Sequence, residues 1–319
     1  MDSATAQIKV TDSKAFDIRK KYFNKEISFF APGLKHYDID GFTQKNANAF
    51  MPISLTGNAC GLDCDHCDTK ILDPMIPLKD IGLYEMAQKM KAQGTEALLI
   101  SGGSNKKGQV PFLKHIKDIK RIKEELNLKI IMHTGMVSDE MARGLKDAGV
   151  DGVALDIIGA QETITQVYHM DATVQDFDNT LSTLTKYGLS IRPHIILGLH
   201  YGQFLGEYQA LNMIKKYPTH ALVIVILTPL HDTPMFGVDP PPVEEVTQFL
   251  HHARAEMPDT KILLGCARPG GDYKKQVDMA AIQAGINGIA YPAEGVIEYA
   301  RSLELQPTLI ENACSCGIE

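Results

Sequence analysis

The chain has 319 residues and a net charge of −7, with 44% hydrophobic and 22% charged residues. That is the composition of a globular protein with room for one large α/β barrel or two ordinary domains. The acidic balance disfavours nucleic acid as a partner, no apolar run approaches the roughly 18–20 residues of a membrane span, and Met1–Val10 has no basic-then-apolar export pattern.

A cytoplasmic location is therefore expected. There, six cysteines argue for metal or redox chemistry rather than a disulfide framework.

Residues 1–49 precede the first strand-like run. Within them Phe29-Phe30-Ala31-Pro32-Gly33 reads as a turn. This N-terminal extension is expected to pack on the body of the fold or to line one end of its site. From residue 50 to 303, short β-branched or apolar runs alternate with amphipathic stretches. The runs are Phe50–Gly57, Glu96–Gly103, Lys129–Gly135, Gly152–Gly159, Ser190–Leu199, Ala221–Leu230, Lys261–Ala267 and Gly285–Pro292. Between them lie Ile81–Gln93, Pro111–Leu126, Ser138–Ala148, Val174–Tyr187, Gly206–Tyr217, Pro242–Met257 and Tyr273–Ala284. Alternation of this kind builds βαβ units with a parallel sheet, and eight units in about 250 residues is the size of a complete (β/α)8 barrel of the TIM type. A doubly wound open sheet is the competing reading. Residues 304–319 form a C-terminal tail that carries Cys314 and Cys316.

The chemistry starts directly after the first run, at Cys60, Cys64 and Cys67. This C-x3-C-x2-C loop supplies three soft thiolates and no fourth. A [4Fe–4S] cluster is usually held by four cysteines, so three would leave one iron open. A closed zinc site would need a further ligand, for which His66 is the nearby candidate. The loop lies at the C-terminal end of a strand, where barrels of this type carry their reactive groups.

At these residues the chain resembles the radical S-adenosylmethionine (SAM) superfamily. The resemblance implies a [4Fe–4S] cluster on Cys60, Cys64 and Cys67 whose open iron is chelated by SAM. Reductive cleavage of SAM then yields a 5′-deoxyadenosyl radical that abstracts hydrogen from substrate. It implies further that His66 stacks on the adenine. The backbone of Gly102-Gly103 would hold the SAM amino group, with Ser104 standing where the family usually has an acid. Asp156, at the end of the fourth run, would bind the ribose as in biotin-synthase-like enzymes; the plainer reading is a helix N-cap. Arg192 would pair with the SAM carboxylate or form an ordinary ion pair. His194 and His200 would line the cavity or serve as structural histidines. Gly198–Gly206 before Glu207 resembles the family's adenine-binding stretch.

Cys266 closes the seventh run, and with Cys314 and Cys316 it forms a second set of three. Ten extended residues, 304–313, reach about 33 Å, enough for the tail to climb the outside of the barrel and bring the set together. The plainer reading is a buried apolar Cys266 and a frayed tail. The segments 31–37, 99–107, 191–202 and 263–271, with the terminal cysteine pair, resemble biotin-synthase-like proteins, and among these the split, two-protein lipoyl synthases. That resemblance implies sulfur insertion at C6 and C8 of an octanoyl chain on a lipoyl carrier protein. It also implies an auxiliary [4Fe–4S] cluster on Cys266, Cys314 and Cys316, and a related radical SAM partner subunit. A ferredoxin or flavodoxin would supply electrons. No cysteine precedes Cys60, a departure from single-chain lipoyl synthases. Eight Lys or Arg against three acids between Lys106 and Lys129 form either a docking face for an acidic partner or a solvated helix face. The rival enzyme class is a radical SAM mutase, lyase or maturase that needs no sulfur donor.

Overall fold

The computed structural model describes residues 14–33, 36–79 and 81–315. All eight expected runs form strands: Phe50–Ser54, Ala97–Ser101, Lys129–His133, Gly152–Asp156, Ile191–Leu197, Ala221–Ile226, Lys261–Leu264 and Gly288–Ala290. Hereafter they are strands one to eight. Each pairs in parallel with the next, and the sheet curls into a parallel α/β barrel architecture of the TIM type. Strand six, Ala-Leu-Val-Ile-Val-Ile, is buried at all six positions. Helices cover its outer face and the barrel interior its inner one, so no polar alternation is needed. Burying each Val, Leu or Ile in such a strand contributes roughly 1.5–3 kcal/mol.

The helices fall where the amphipathic stretches lie, with ends set by local chemistry. Asp139–Ala148 starts behind Ser138, whose side chain accepts the Met141 N–H, and stops at Gly149 in the left-handed region. Val174–Lys186 starts behind a capping box made by Thr173 and Asp176. The helices between strands return the chain to the entry end of the sheet.

Among the described residues the sheet gains three strands not legible in the sequence: Ile76–Pro77 beside strand one, and two beyond strand eight. Glu26–Phe30 pairs with strand eight and Gln306–Ile310 pairs with Glu26–Phe30, both in parallel. Phe29 and Phe30, read as part of a turn, therefore end a strand, and the turn follows at Gly33. The Gly33 N–H donates to the Phe50 carbonyl (3.0 Å), which joins this side of the curled sheet to strand one. A Cβ on Gly33 would lie 2.0 Å from the Ala47 carbonyl oxygen, so only glycine permits that approach.

The tail does not climb outside the barrel as free chain; it climbs as the edge strand Gln306–Ile310. Beyond it, Glu311 accepts the backbone N–H groups of Lys45 (2.8 Å) and Asn46 (2.7 Å), and Asn312 donates to Glu96 (2.7 Å). Ala313, Cys314 and Ser315 are then buried, so this part of the tail is packed rather than frayed. No helix among the described residues is long and apolar enough to cross a membrane.

Candidate active site

The cysteine loop leaves strand one and winds a tight turn after Cys64. The N–H groups of Cys67 and Asp68 both reach the Cys64 carbonyl (3.1 and 2.8 Å). Residues three apart on such a turn face the same way. The side-chain ligand atoms of Cys64, His66 and Cys67 consequently lie within 4.8 Å of one another. Cys64 shares its proton with Cys67, which holds the Cys67 thiol well below its usual range and pushes Cys64 up. The Cys60 sulfur accepts N–H groups from Leu62 (3.4 Å) and Ser104 (3.3 Å), donors that suit a thiolate bound to a cluster. Three soft thiolates on one loop have the chemistry for a [4Fe–4S] cluster, but Cys60 stands outside the Cys64–His66–Cys67 group. The four donors of a closed zinc set are therefore not brought together.

The loop is pinned from three sides. Gly61 N–H donates to the Ser104 carbonyl (2.6 Å), Asp65 N–H to Val167 (2.9 Å), and Met235 N–H to Asp65 (3.2 Å). Asp65 also accepts the His169 imidazole (2.7 Å) and the Tyr201 hydroxyl. Burial works to raise the Asp65 pKa, but the Tyr201 hydroxyl and His169 imidazole outweigh it and hold the carboxyl below its usual value.

Gly102-Gly103 lies directly against this loop. The Gly103 N–H donates to Thr56 Oγ1 (2.7 Å). A Cβ on Gly103 would fall 2.1 Å from the Ala59 carbonyl oxygen and 2.6 Å from Cys60 Cα, whereas one on Gly102 would meet Thr56 Oγ1 at 3.1 Å. The glycines thus set how closely strand two approaches the cysteines. Thr56 has no signal in the sequence that marks this role.

Asp156 is not a helix cap: the following helix starts at Gln161 behind Ala160. It ends strand four beside His133 of strand three (Nε2 to Oδ1 3.8 Å) and opposite His194 of strand five. The three ligand atoms lie within 4.8 Å of one another. His133 and His194 meet edge to face at 5.5 Å. Burial, then the neighbouring His133, lowers the His194 pKa to about 4, so its imidazole is neutral at ordinary pH. Tyr168 joins this trio to the cysteine loop. Its ring lies 4.9 Å from that of His66, its carbonyl accepts from Cys64 Sγ (3.6 Å), and its hydroxyl is buried beside Asp156. No motif marks Tyr168; its position follows from the fold alone.

Arg192 is not brought to this site. Its guanidinium bonds to Ser190 Oγ (2.9 Å) and to the Ser190 and Asp151 carbonyls (3.3 Å each), groups that enter strands five and four at the opposite end. His200 is tied to Thr163 Oγ1 (3.2 Å) outside the His133–His194 pair. Glu207 receives the Gly198 N–H (3.0 Å), and burial raises its pKa to about 7. Cys266 is exposed after strand seven and Cys314 is buried in the tail; Cys316 lies outside the described residues. Of the basic stretch, Arg121, Lys120 and Lys123 pair with Glu125, Glu124 and Asp151. A cleft of 660 Å³ opens between the loops entering strands five, six and seven, away from the cysteines.

The family model of the radical SAM superfamily matches residues 54–208, the stretch that holds the triplet, Gly102-Gly103, Asp156 and Glu207. Biotin synthase of Leptothrix cholodnii is 27% identical over 248 residues, covering 75% of this chain and 70% of that protein. Mitochondrial biotin synthase of Emericella nidulans is 24% identical over 254 residues, covering 74% and 61%. Solved structures share the fold at lower identity. Methylornithine synthase (PylB) is 12% identical with a TM-score of 0.60, over 92% of this chain and 87% of that one. The FeFe-hydrogenase maturase HydG of Carboxydothermus hydrogenoformans is 15% identical with a TM-score of 0.64, over 92% and 70%. The matched stretch carries the three-cysteine loop and the glycine turn against it, and over residues 54–208 the chain is similar to the radical SAM superfamily.

Proposed function

We propose that this protein is a radical SAM sulfur-insertion enzyme of the lipoyl synthase type. It acts with a related partner subunit on an octanoyl chain held by a lipoyl carrier protein. The observation that carries the reading is the second cysteine set on a chain whose relatives are biotin synthases, which are sulfur-inserting enzymes. Cys266 leaves strand seven at the same end as the triplet, and the tail as far as Cys314 is anchored rather than loose.

When bound, the cluster on Cys60, Cys64 and Cys67 supplies the electron for SAM cleavage. The chain's own residues do the positioning. Leu62 and Ser104 N–H groups hold the Cys60 sulfur. Gly102-Gly103 admits the SAM amino group beside the loop, and His66 and Asp156 take adenine and ribose; Asp156 has acceptor sites for both ribose hydroxyls. The interior face carries Val223, which registers with His194, Leu263, which registers with Val223, and Ile131, two residues before His133 on the same face. These side chains exclude water from a radical formed there. Cys266, Cys314 and Cys316 would hold the auxiliary cluster that provides sulfur. A ferredoxin or flavodoxin would deliver electrons, and the Lys106–Lys129 stretch is the basic face suited to an acidic donor.

The test is the reduced protein with SAM, partner subunit and octanoylated carrier, assayed by mass spectrometry for thiolated carrier and for 5′-deoxyadenosine. Replacing Cys266, Cys314 and Cys316 with Ala is expected to abolish thiolation and keep SAM cleavage. Thiolation unchanged in that variant overturns the sulfur reading. Cleavage without thiolation in both proteins places the chain with mutase, lyase or maturase chemistry.

A further inference from the structure

We infer that His133, Asp156 and His194 form a binding site for one divalent transition-metal ion inside the barrel, separate from the cysteine loop. His133 and Asp156 end strands three and four, and His194 lies mid-way along strand five, level with Asp156. Asp156 registers with His194, and His133 registers with Ala154, two residues before Asp156 on the same face. All three ligand atoms lie within 4.8 Å of one another. Two imidazoles and one carboxylate on one side of an ion leave its remaining positions open, as in non-haem iron and catalytic zinc sites.

The surroundings suit a bound ion. The His194 Nδ1–H donates to the Arg192 carbonyl (3.0 Å), which fixes the tautomer with its lone pair on Nε2. A carbonyl partner on the far nitrogen is the usual way a ligating histidine is oriented. Ser101 Oγ donates to the His133 carbonyl (2.9 Å) and steadies the backbone that carries the second imidazole. Among the described residues Asp156 has no Lys or Arg partner; its one ionic neighbour is His133.

Tyr168, 8% exposed, lies with its hydroxyl beside Asp156, where it can donate to a carboxylate oxygen or to a water on the metal. The open positions would then hold a carbonyl or carboxylate oxygen of the substrate, with Tyr168 linking the site to the cysteine loop. The ribose role of Asp156 uses the same carboxylate, but its two oxygens have room for both. The inference stands whether or not the chain inserts sulfur.

The test uses the full-length chain with all six cysteines replaced by Ala, titrated anaerobically with Co2+ and followed by visible absorption and calorimetry. The expected result is about one equivalent bound, with ligand-field bands and no thiolate charge transfer. His133→Gln, Asp156→Asn and His194→Gln should each weaken binding by about a hundredfold, comparable to or beyond what loss of an outer partner costs. Circular dichroism checks that each variant folds. If the cysteine-free chain does not fold, Zn K-edge absorption on the zinc-loaded native chain decides. A component of two imidazoles and oxygen without sulfur, lost in His194→Gln, supports the site. Absence of uptake, uptake unchanged by all three substitutions, or sulfur-bound zinc alone overturns it.

Discussion

Arg268 and Asp278 form an ion pair wholly shielded from solvent, Nε to Oδ1 at 2.7 Å. The same guanidinium donates to the Gly265 carbonyl (2.6 Å) and the Tyr291 carbonyl (3.0 Å), while Asp278 accepts the Ala293 N–H (2.8 Å). The pair thus ties the exit of strand seven, one residue before Cys266, to the exit of strand eight. Removing one partner of such a pair leaves a buried charge and costs about 3–5 kcal/mol. Arg268→Met is expected to lower stability by about that much in urea unfolding. Arg268→Met combined with Asp278→Leu should lose less than the sum of the two single changes.

Gly103 sets the approach of strand two to the cysteine loop. An added Cβ would meet backbone atoms of Ala59 and Cys60 at 2.1 and 2.6 Å, and backbone yields less readily than side chains. Gly103→Ala should therefore push the loop off its position and sharply reduce iron retained after anaerobic reconstitution. Gly102→Ala, whose nearest contact would be Thr56 Oγ1 at 3.1 Å, should retain most of it. Iron per chain, measured on both variants beside the parent, decides.

Glu207 makes stability fall as pH rises. Burial raises its pKa in the folded protein to about 7 from the ordinary 4.5, so the folded state binds the proton more tightly than the unfolded chain. Stability is then lost between those two values and is level above them. Glu207→Gln keeps an acceptor for the Gly198 N–H and carries no charge. It should be more stable than the parent at pH 8 by on the order of 1–3 kcal/mol, and nearly equal to it at pH 4.5. Urea midpoints at the two pH values measure this.

The eight strands were legible because buried parallel strands are near-continuous runs of Val, Ile and Leu, as in Ala221–Ile226. Gln306–Ile310 was not, because it is an edge strand with Pro307 in it and no buried position. The cysteine loop and Gly102-Gly103 carry their chemistry in short spacings, which a sequence displays directly. Arg192 shows the limit of that approach. Its two-residue spacing from His194 puts both on one face, yet it does not say toward which end a long side chain turns. Gly152 decides the direction: a Cβ there would lie 1.9 Å from the Arg192 Nη1, so its absence makes the room the guanidinium occupies. Tyr168 has no motif at all; only the assembled barrel puts its hydroxyl beside Asp156 and its ring against His66.

The central claim is a second cluster on Cys266, Cys314 and Cys316, and iron content tests it most directly. The anaerobically reconstituted protein, analysed for iron and sulfide with Mössbauer spectra, should hold about eight irons per chain. The variant with these three cysteines replaced by Ala should hold about four, each [4Fe–4S] cluster counting four. About four irons in both proteins would contradict the account and leave a radical SAM enzyme without a sulfur-donating cluster.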